Sequence, residues 1–300
     1  MTDHSKSYAL PSNVDRRPVL VLGAGTLGER IALMFAAGGA AVRIYNRTRQ
    51  HAQTARVFVD EHLPQTREAL GLSGAPQGAV EVVTPLEAAV PGAWLVIESV
   101  VEDLEVKCGL LATVDRLADD DAILATNSSS YPSSEIASAL KHPERLLNMH
   151  FLMPPQVNIV ELMSSGQTDS AVIDALMQRL PNYGLVPFRV RRESVGFVFN
   201  RIWAAIKREA LMVLHEGVAT PQDVDRIWQQ AFGSPAGPFR MMDQVGLDVV
   251  QDIEEHYAHI RDGIPAGPRT LLGQYIARGH LGAKTGRGFY ADYHANDQDR

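Results

Sequence analysis

The chain has 300 residues, 45% hydrophobic and 21% charged, and its 28 basic and 35 acidic side chains give a formal net charge of −7. That balance argues against nucleic acid or an anionic membrane as partner, because both require a basic footprint. A single cysteine, Cys108, excludes a disulfide scaffold and a Cys-based zinc site, and no metal is expected. No apolar run approaches the roughly 18 residues of a membrane span, so the composition reads as a cytoplasmic enzyme or binding protein large enough for two domains.

Residues 1–17 read as a polar tail. The apolar run 18–23 then has the character of a strand buried on both faces of a parallel sheet. Helical spacing over 27–39 places Ile31, Leu33, Met34 and Phe35 on a broad apolar face. A strand at 41–45 and a helix over 49–70 follow, then a loop rich in Gly, Pro and Ser at 71–78. Strands are expected at 79–83, 93–99 and 122–126, with helices at 104–117 and 133–140. Further strands at 145–151 and 158–163, a helix over 169–183 and a strand at 185–190 complete an alternating pattern that predicts a parallel α/β sheet. Beyond Arg192 the strand-like runs cease. Helices are expected over 195–216, 221–231, 238–245, 248–259 and 269–278. The expected organisation is a tail (1–17), a Rossmann-type α/β domain (18–192) and an all-helical domain (193–300).

The segment GAGTLG (23–28) fits G-x-G-x-x-G and joins the first strand to the first helix. Gly23 permits a tight turn, Gly25 lets backbone approach a pyrophosphate, and Gly28 lets helix and strand pack closely. Backbone N–H groups around Thr26 and Leu27 would hold the phosphates. A purely structural glycine turn is the alternative, and the βαβ context favours the dinucleotide site. The second strand ends in Asn46-Arg47-Thr48-Arg49, where a carboxylate would select the ribose of NAD(H). Without that carboxylate, and with donors at Arg47, Thr48 and Arg49, the expectation is NADP(H) in preference to NAD(H).

Three polar features gather after the fifth strand. Asn127 and three serines sit at a strand's C-terminal end, the edge where open α/β sheets bind ligands. His150 closes the next apolar strand, 21 residues after Ser129, and Glu161 lies 11 residues further on. A histidine there is either a satisfied core group or, with a carboxylate in reach, a proton-transfer group. Asn200, near the start of the longest helix, serves either a cap or a substrate oxygen.

With these pieces in place the chain resembles the 3-hydroxyacyl-CoA dehydrogenase family over nearly its whole length. The matching segments are GAGTLG (23–28), VVEDLEVK (100–107), TNSSS (126–130), the stretch from His150 to Glu161, SVGFVFNR (194–201), EGVATPQDVD (216–225), AGPFRMMDQVGLD (236–248) and KTGRGFY (284–290). The resemblance implies a dinucleotide domain followed by a helical domain that pairs subunits into a homodimer, and a small hydroxy/oxo substrate. It makes His150 the catalytic acid/base, Glu161 the carboxylate that orients it, Ser129 a donor to the substrate oxygen, and Asn200 a neighbour of the reacting carbonyl. Glu102 is expected near the nicotinamide end of the cofactor, with Lys107 and Asn127 completing the cofactor-binding set.

Four departures from the family pattern matter. Asn46 replaces the acidic ribose residue. HFLMP (150–154) replaces a segment that usually carries a polar side chain where Met153 stands, and the stretch from His150 to Glu161 is about one residue short. The Lys-rich hairpin that holds CoA phosphates in the family corresponds here to 48–78, which contains no lysine. Lys207 lies seven residues after Asn200, on the same helix face. Either its stem is packed with the ammonium snorkelling, or it contacts substrate; Met153 and Lys207 are therefore the candidate substrate contacts. The expected activity is hydride transfer between NADP(H) and a 3-hydroxy/3-oxo acyl compound. The same chemistry on a non-CoA hydroxy acid is the alternative, and a non-catalytic, crystallin-like nucleotide binder the remote one.

Overall fold

The apolar runs of the first half fold as strands of one sheet in the computed structural model, which describes residues 8–74 and 76–293. In chain order the elements are β1 (Val19–Leu22), α1 (Thr26–Ala37), β2 (Val42–Tyr45), α2 (Arg49–Ala69), β3 (Val80–Val82), α3 (Leu86–Ala89), β4 (Leu95–Glu98) and α4 (Leu104–Leu117). They continue with β5 (Ile123–Thr126), α5 (Ser133–Ala137), β6 (Leu146–Met153), β7 (Val157–Ser164), α6 (Ser170–Arg179) and β8 (Val186–Val190). The sheet order is β3-β2-β1-β4-β5-β6-β7-β8.

All four residues of β1, β4 and β5 are buried, as central parallel strands covered on both faces require. The two-residue period distributes each strand between two cores. Val19 and Val21 pack with Ile31, Phe35, Val59 and Leu176 on one face, while Leu20 and Leu22 pack with Val96, Leu111, Val114 and Ile136 on the other. Strand order reverses between β1 and β4, so the carboxyl ends of these two strands flank the crevice where such sheets bind ligands.

The sheet is not wholly parallel: β6 and β7 run antiparallel. Only residues 154–156 join them, and a parallel crossover needs about a dozen or more. The expected tail also differs. Residues 1–7 lie outside the described residues, whereas 8–17 are anchored: the Tyr8 hydroxyl donates to the Asp121 carbonyl at 2.6 Å, and Arg17 bonds both Asp121 carboxylate oxygens and the carbonyls of Gly92 and Ala93.

The second unit begins at Phe199, rather than directly after Arg192, and holds α7 (Phe199–His215), α8 (Pro221–Phe232), α9 (Pro238–Val245), α10 (Leu247–Ile260) and α11 (Gly267–Ile276). The helix expected from residue 195 starts at Phe199 because Gly196 and Phe197 both have positive φ, 77° and 54°, which no right-handed helix accommodates. Leu211, Phe239, Met242, Leu247, Val250 and Leu272 form its core. Two buried aspartates brace that core. Asp225 accepts from the Phe239 and Arg240 amides at the start of α9, and Asp243 accepts from the Phe289 and Tyr290 amides. No helix of the described residues is long and apolar enough to cross a membrane.

Candidate active site

The glycine loop has the geometry its sequence implied. Gly23 has φ +105°, and a Cβ there would lie 2.3 Å from the Ser99 carbonyl oxygen; a Cβ on Gly28 would lie 2.0 Å from the Gly23 carbonyl oxygen. Gly25 faces open space, with nothing within 4 Å of a Cβ position. It is also the N-cap of α1 and provides no side-chain cap, so the helix presents uncapped N–H groups around Thr26 and Leu27. An open glycine in front of an uncapped helix start fits a dinucleotide pyrophosphate.

At the end of β2 the Asn46 amide nitrogen donates to the Thr48 carbonyl at 3.2 Å, which leaves its amide oxygen as an acceptor. Arg47 and Thr48 are exposed, and Arg49 reaches the Thr84 hydroxyl at 3.5 Å.

His150 and Glu161 are brought together by strand register. They are directly opposed residues of the antiparallel β6–β7 pair, so their side chains share one face. His150 Nδ1 lies 3.0 Å from Glu161 Oε2, with the residues 6% and 3% exposed. An ionised carboxylate only accepts, so Nδ1 carries the hydrogen and Nε2 is left as the nitrogen available to a ligand. Glu161 Oε1 accepts from the Val198 amide at 2.9 Å. The imidazole stacks on Phe197, with centroids 4.6 Å apart and planes 16° apart. Phe197 is delivered by the turn that ends the first unit, in which its amide donates to the Ser194 carbonyl and the Ser194 hydroxyl donates to the Phe197 carbonyl. Sequence reasoning found the dyad and missed Phe197 and the Val198 amide. Gly196, one residue earlier, was the available signal of a sharp turn.

The serines after β5 divide their roles. Ser128 is buried: its hydroxyl donates to Glu102 Oε1 at 2.6 Å and accepts from the Tyr131 amide at 2.9 Å. Ser129 is exposed. Asn127 is drawn into the protein frame, its amide oxygen accepting from Phe151 N at 2.9 Å beside the His150 backbone and its amide nitrogen 3.5 Å from the Ser99 hydroxyl. Met153, the last residue of β6, is exposed next to an irregularity in the β6–β7 register. Burial raises the pKa of Glu102, but the Ser128 hydroxyl, the Lys107 ammonium and the Ser130 amide outweigh it and hold the carboxyl below its usual value. Lys107 is itself buried and faces Glu98, Glu102 and the Val100 carbonyl.

Asn200 and Lys207 both lie on α7 of the second unit, Asn200 half-buried in its first turn. Lys207 is 5% exposed, with its ammonium 5.9 Å from the centroid of the Trp203 ring. Desolvation lowers its pKa, Glu254 opposes that shift and Arg208 adds to it; Glu254 is itself paired with Arg208 at 2.7 Å. A depressed lysine pKa means that folding is penalised while the group is charged. The penalty is complete below the folded pKa and disappears as pH rises past the usual lysine value of 10.5. Lys207→Met should therefore raise the stability of the protein at pH 7 by about 1–3 kcal/mol, with the gain shrinking toward pH 11. Denaturant titrations at both pH values check this, and an unchanged or lower midpoint at pH 7 would contradict it.

Two family descriptions match the chain in succession. Residues 18–194 match the 3-hydroxyacyl-CoA dehydrogenase NAD binding domain, and residues 196–292 match the 3-hydroxyacyl-CoA dehydrogenase C-terminal domain. The chain belongs to the 3-hydroxyacyl-CoA dehydrogenase family. A probable 3-hydroxybutyryl-CoA dehydrogenase of Bacillus subtilis is 31% identical over 282 residues, spanning 92% of this chain and 97% of its own. The structure of (S)-3-hydroxybutyryl-CoA dehydrogenase from Ralstonia eutropha superposes with a TM-score of 0.79 at 29% identity, covering 93% of this chain and 99% of that one. A diketoreductase that acts on dicarbonyl compounds superposes with a TM-score of 0.77 at 30% identity, covering 91% and 98%. The chain is thus an NAD(P)-dependent oxidoreductase of the 3-hydroxyacyl-CoA dehydrogenase type, with a Rossmann domain followed by a helical domain.

The expected preference for NADP(H) is corrected by this assignment, because the matching N-terminal domain is an NAD binding domain. The local geometry supplies a physical reason. With its nitrogen held by Thr48, Asn46 keeps an amide oxygen that can accept from a ribose hydroxyl as a carboxylate oxygen would. Loss of the negative charge is therefore not by itself a preference for a 2′-phosphate.

Proposed function

We propose that this member of the 3-hydroxyacyl-CoA dehydrogenase family interconverts the secondary alcohol and the ketone of a 3-hydroxy/3-oxo acyl compound with NAD(H), using His150 as acid/base. The observation that carries this reading is the buried contact of His150 Nδ1 with Glu161 Oε2 at 3.0 Å. Bound NADH supplies the hydride for reduction, and NAD⁺ takes it back for oxidation. His150 gives the carbonyl oxygen a proton from Nε2 in the first direction and removes the hydroxyl proton in the second. Glu161 fixes the tautomer and stabilises the imidazolium, while Phe197 stacks on one face of the ring. Ser129 is the donor assigned to the substrate oxygen. Exposed Val218, Ile227 and Phe232 in the helical unit support the reading of a homodimer.

A second reading keeps the chemistry and removes the CoA handle. Arg67, one of the three cations between residues 48 and 78, is buried and donates to the carbonyls of Ala37, Leu72 and Pro76. Arg56 faces Asp60 at 3.5 Å, and Glu61 and Glu68 are exposed on the same helix. Such a surface offers little net positive charge to a polyanionic handle. The test is NADH oxidation with acetoacetyl-CoA and with acetoacetate. The second reading expects kcat/KM values within about tenfold of each other, whereas a CoA advantage of about a thousandfold or more would restore a dedicated CoA site. Absence of turnover on both, with NADH bound, would favour the non-catalytic binder.

A further inference from the structure

The turn that ends the first unit holds a backbone conformation that its residue does not favour. Among the described residues, Asn13 and Phe197 are the non-glycine residues with positive φ, at 51° and 54°. Asparagine tolerates the left-handed region because its short amide can bond to nearby backbone, whereas a bulky aromatic residue there is strained. Such strain persists only where the surroundings over-determine it, and an observed outlier is grounds for inferring a function. The surroundings of Phe197 meet that condition. It is 2% exposed and packs with Met163 and Val190. Its amide donates to the Ser194 carbonyl at 3.0 Å, its carbonyl accepts from the Ser194 hydroxyl at 3.2 Å, and the Ser194 amide lies 3.3 Å from Met163 Sδ. Gly196, with φ 77°, takes the other left-handed position.

The strained turn grips both members of the dyad. Glu161 holds the imidazole at one atom, Nδ1, 3.0 Å from Oε2. One hydrogen bond fixes a point and leaves the ring plane free to tilt about it. Nε2, on the far side of the ring, moves furthest in such a tilt. The Phe197 ring lies against one face of the imidazole, with centroids 4.6 Å apart and planes 16° from parallel, and blocks the tilt on that side. The next residue supplies the Val198 amide to Glu161 Oε1 at 2.9 Å. Adjacent residues of one turn therefore meet the imidazole and the carboxylate.

We propose that Phe197 is a positioning residue: its ring holds the His150 imidazole in the plane in which Nε2 meets the substrate oxygen, and the left-handed backbone at 196–197 is retained to present it. A phenyl ring has no proton to exchange, so Phe197 acts only through His150. The inference rests on the reading above that His150 is the acid/base.

The first test uses the unaltered protein. In a histidine-labelled sample, the ring current of a stacked phenyl should move the His150 ring C–H resonances upfield of those of the other histidines, with His150→Gln giving the assignment. Resonances at an ordinary position would mean that the stack does not persist in solution and would overturn the proposal. The second test is Phe197→Gly, which removes the ring and suits the left-handed backbone. With the better of acetoacetyl-CoA and acetoacetate, kcat should fall by about ten- to a hundredfold, while KM and the NADH dissociation constant stay within about twofold. The solvent deuterium isotope effect on kcat should grow, because a misaimed imidazole makes proton transfer the slow step. Turnover within about threefold of wild type, an unchanged isotope effect, or a parallel loss of NADH binding would each contradict the proposal. Should Phe197→Gly fail to fold, Phe197→Leu keeps the apolar bulk without the flat face, and a loss of about tenfold with the same isotope signature is expected. A His150→Gln variant with wild-type turnover would defeat the acid/base reading instead, so the two failures are distinguishable.

Discussion

His150→Gln should lower kcat for the reduction of a 3-oxo acyl substrate by about 10²–10⁴ and leave the NADH dissociation constant within about twofold. The split follows from where the imidazole sits. It is on β6 opposite Glu161 and stacked on Phe197, whereas the uncapped start of α1 and the open Gly25 lie at the end of β1. Glutamine keeps a polar group of similar reach but cannot exchange a proton near neutral pH. Glu161→Gln should be nearly as damaging for a different reason. Its amide nitrogen can donate to Nδ1 and so favour the tautomer with the proton on the wrong nitrogen, and it no longer stabilises the imidazolium. Because the two groups act as one device, the double variant should lose little beyond the worse single. Steady-state kinetics and fluorescence titration on the three variants decide the matter. If His150→Gln retains more than about a tenth of wild-type turnover, the proton comes from elsewhere.

The strands were legible because their physics is local. Short apolar runs with no polar alternation, set in a repeating strand–helix pattern, read as strands covered on both sides, and β1, β4 and β5 are buried at every position. The glycine loop was legible because each of its three glycines has a separate steric reason, two of them visible as Cβ positions within 2.3 Å of a carbonyl oxygen. The pairing of His150 with Glu161 was suggested by a spacing of eleven residues, but its cause is antiparallel register. That register was readable in principle, because residues 154–156 are too few for a parallel crossover. Phe197 was not readable, since its stacking on His150 depends on a left-handed turn at Gly196 and Phe197 within an apolar segment that otherwise looks helical. Glu98 was hidden for a related reason. A carboxylate closing an apolar strand resembles a solvated end until the lysine that meets it from α4 is placed. The turn at Asn46 was read from the missing carboxylate and the donors at Arg47, Thr48 and Arg49, and the error came from neglecting that the Asn46 amide oxygen is itself an acceptor.

Asp115→Ala should destabilise the first unit by about 3–5 kcal/mol. Arg145 leads into β6, the strand that carries His150, and is 1% exposed. Its Nε and Nη2 lie 3.1 and 2.8 Å from Asp115 Oδ1, Nη2 also donates to the Asp115 carbonyl at 2.7 Å, and Nη1 donates to the Asp119 carbonyl at 2.6 Å. The other carboxylate oxygen accepts from the Lys141 and His142 amides. Removing the carboxylate strands a guanidinium where water cannot reach it and orphans two backbone N–H groups, so the cost is that of an uncompensated buried charge rather than of one contact. Asp115→Leu/Arg145→Met should recover much of the loss, because an apolar pair of similar volume needs no desolvation of ions. Urea titrations followed by circular dichroism measure both. A shift below about 1 kcal/mol for Asp115→Ala would mean that the arginine finds water or another anion once its partner is gone, and that the start of β6 is held by its apolar neighbours instead.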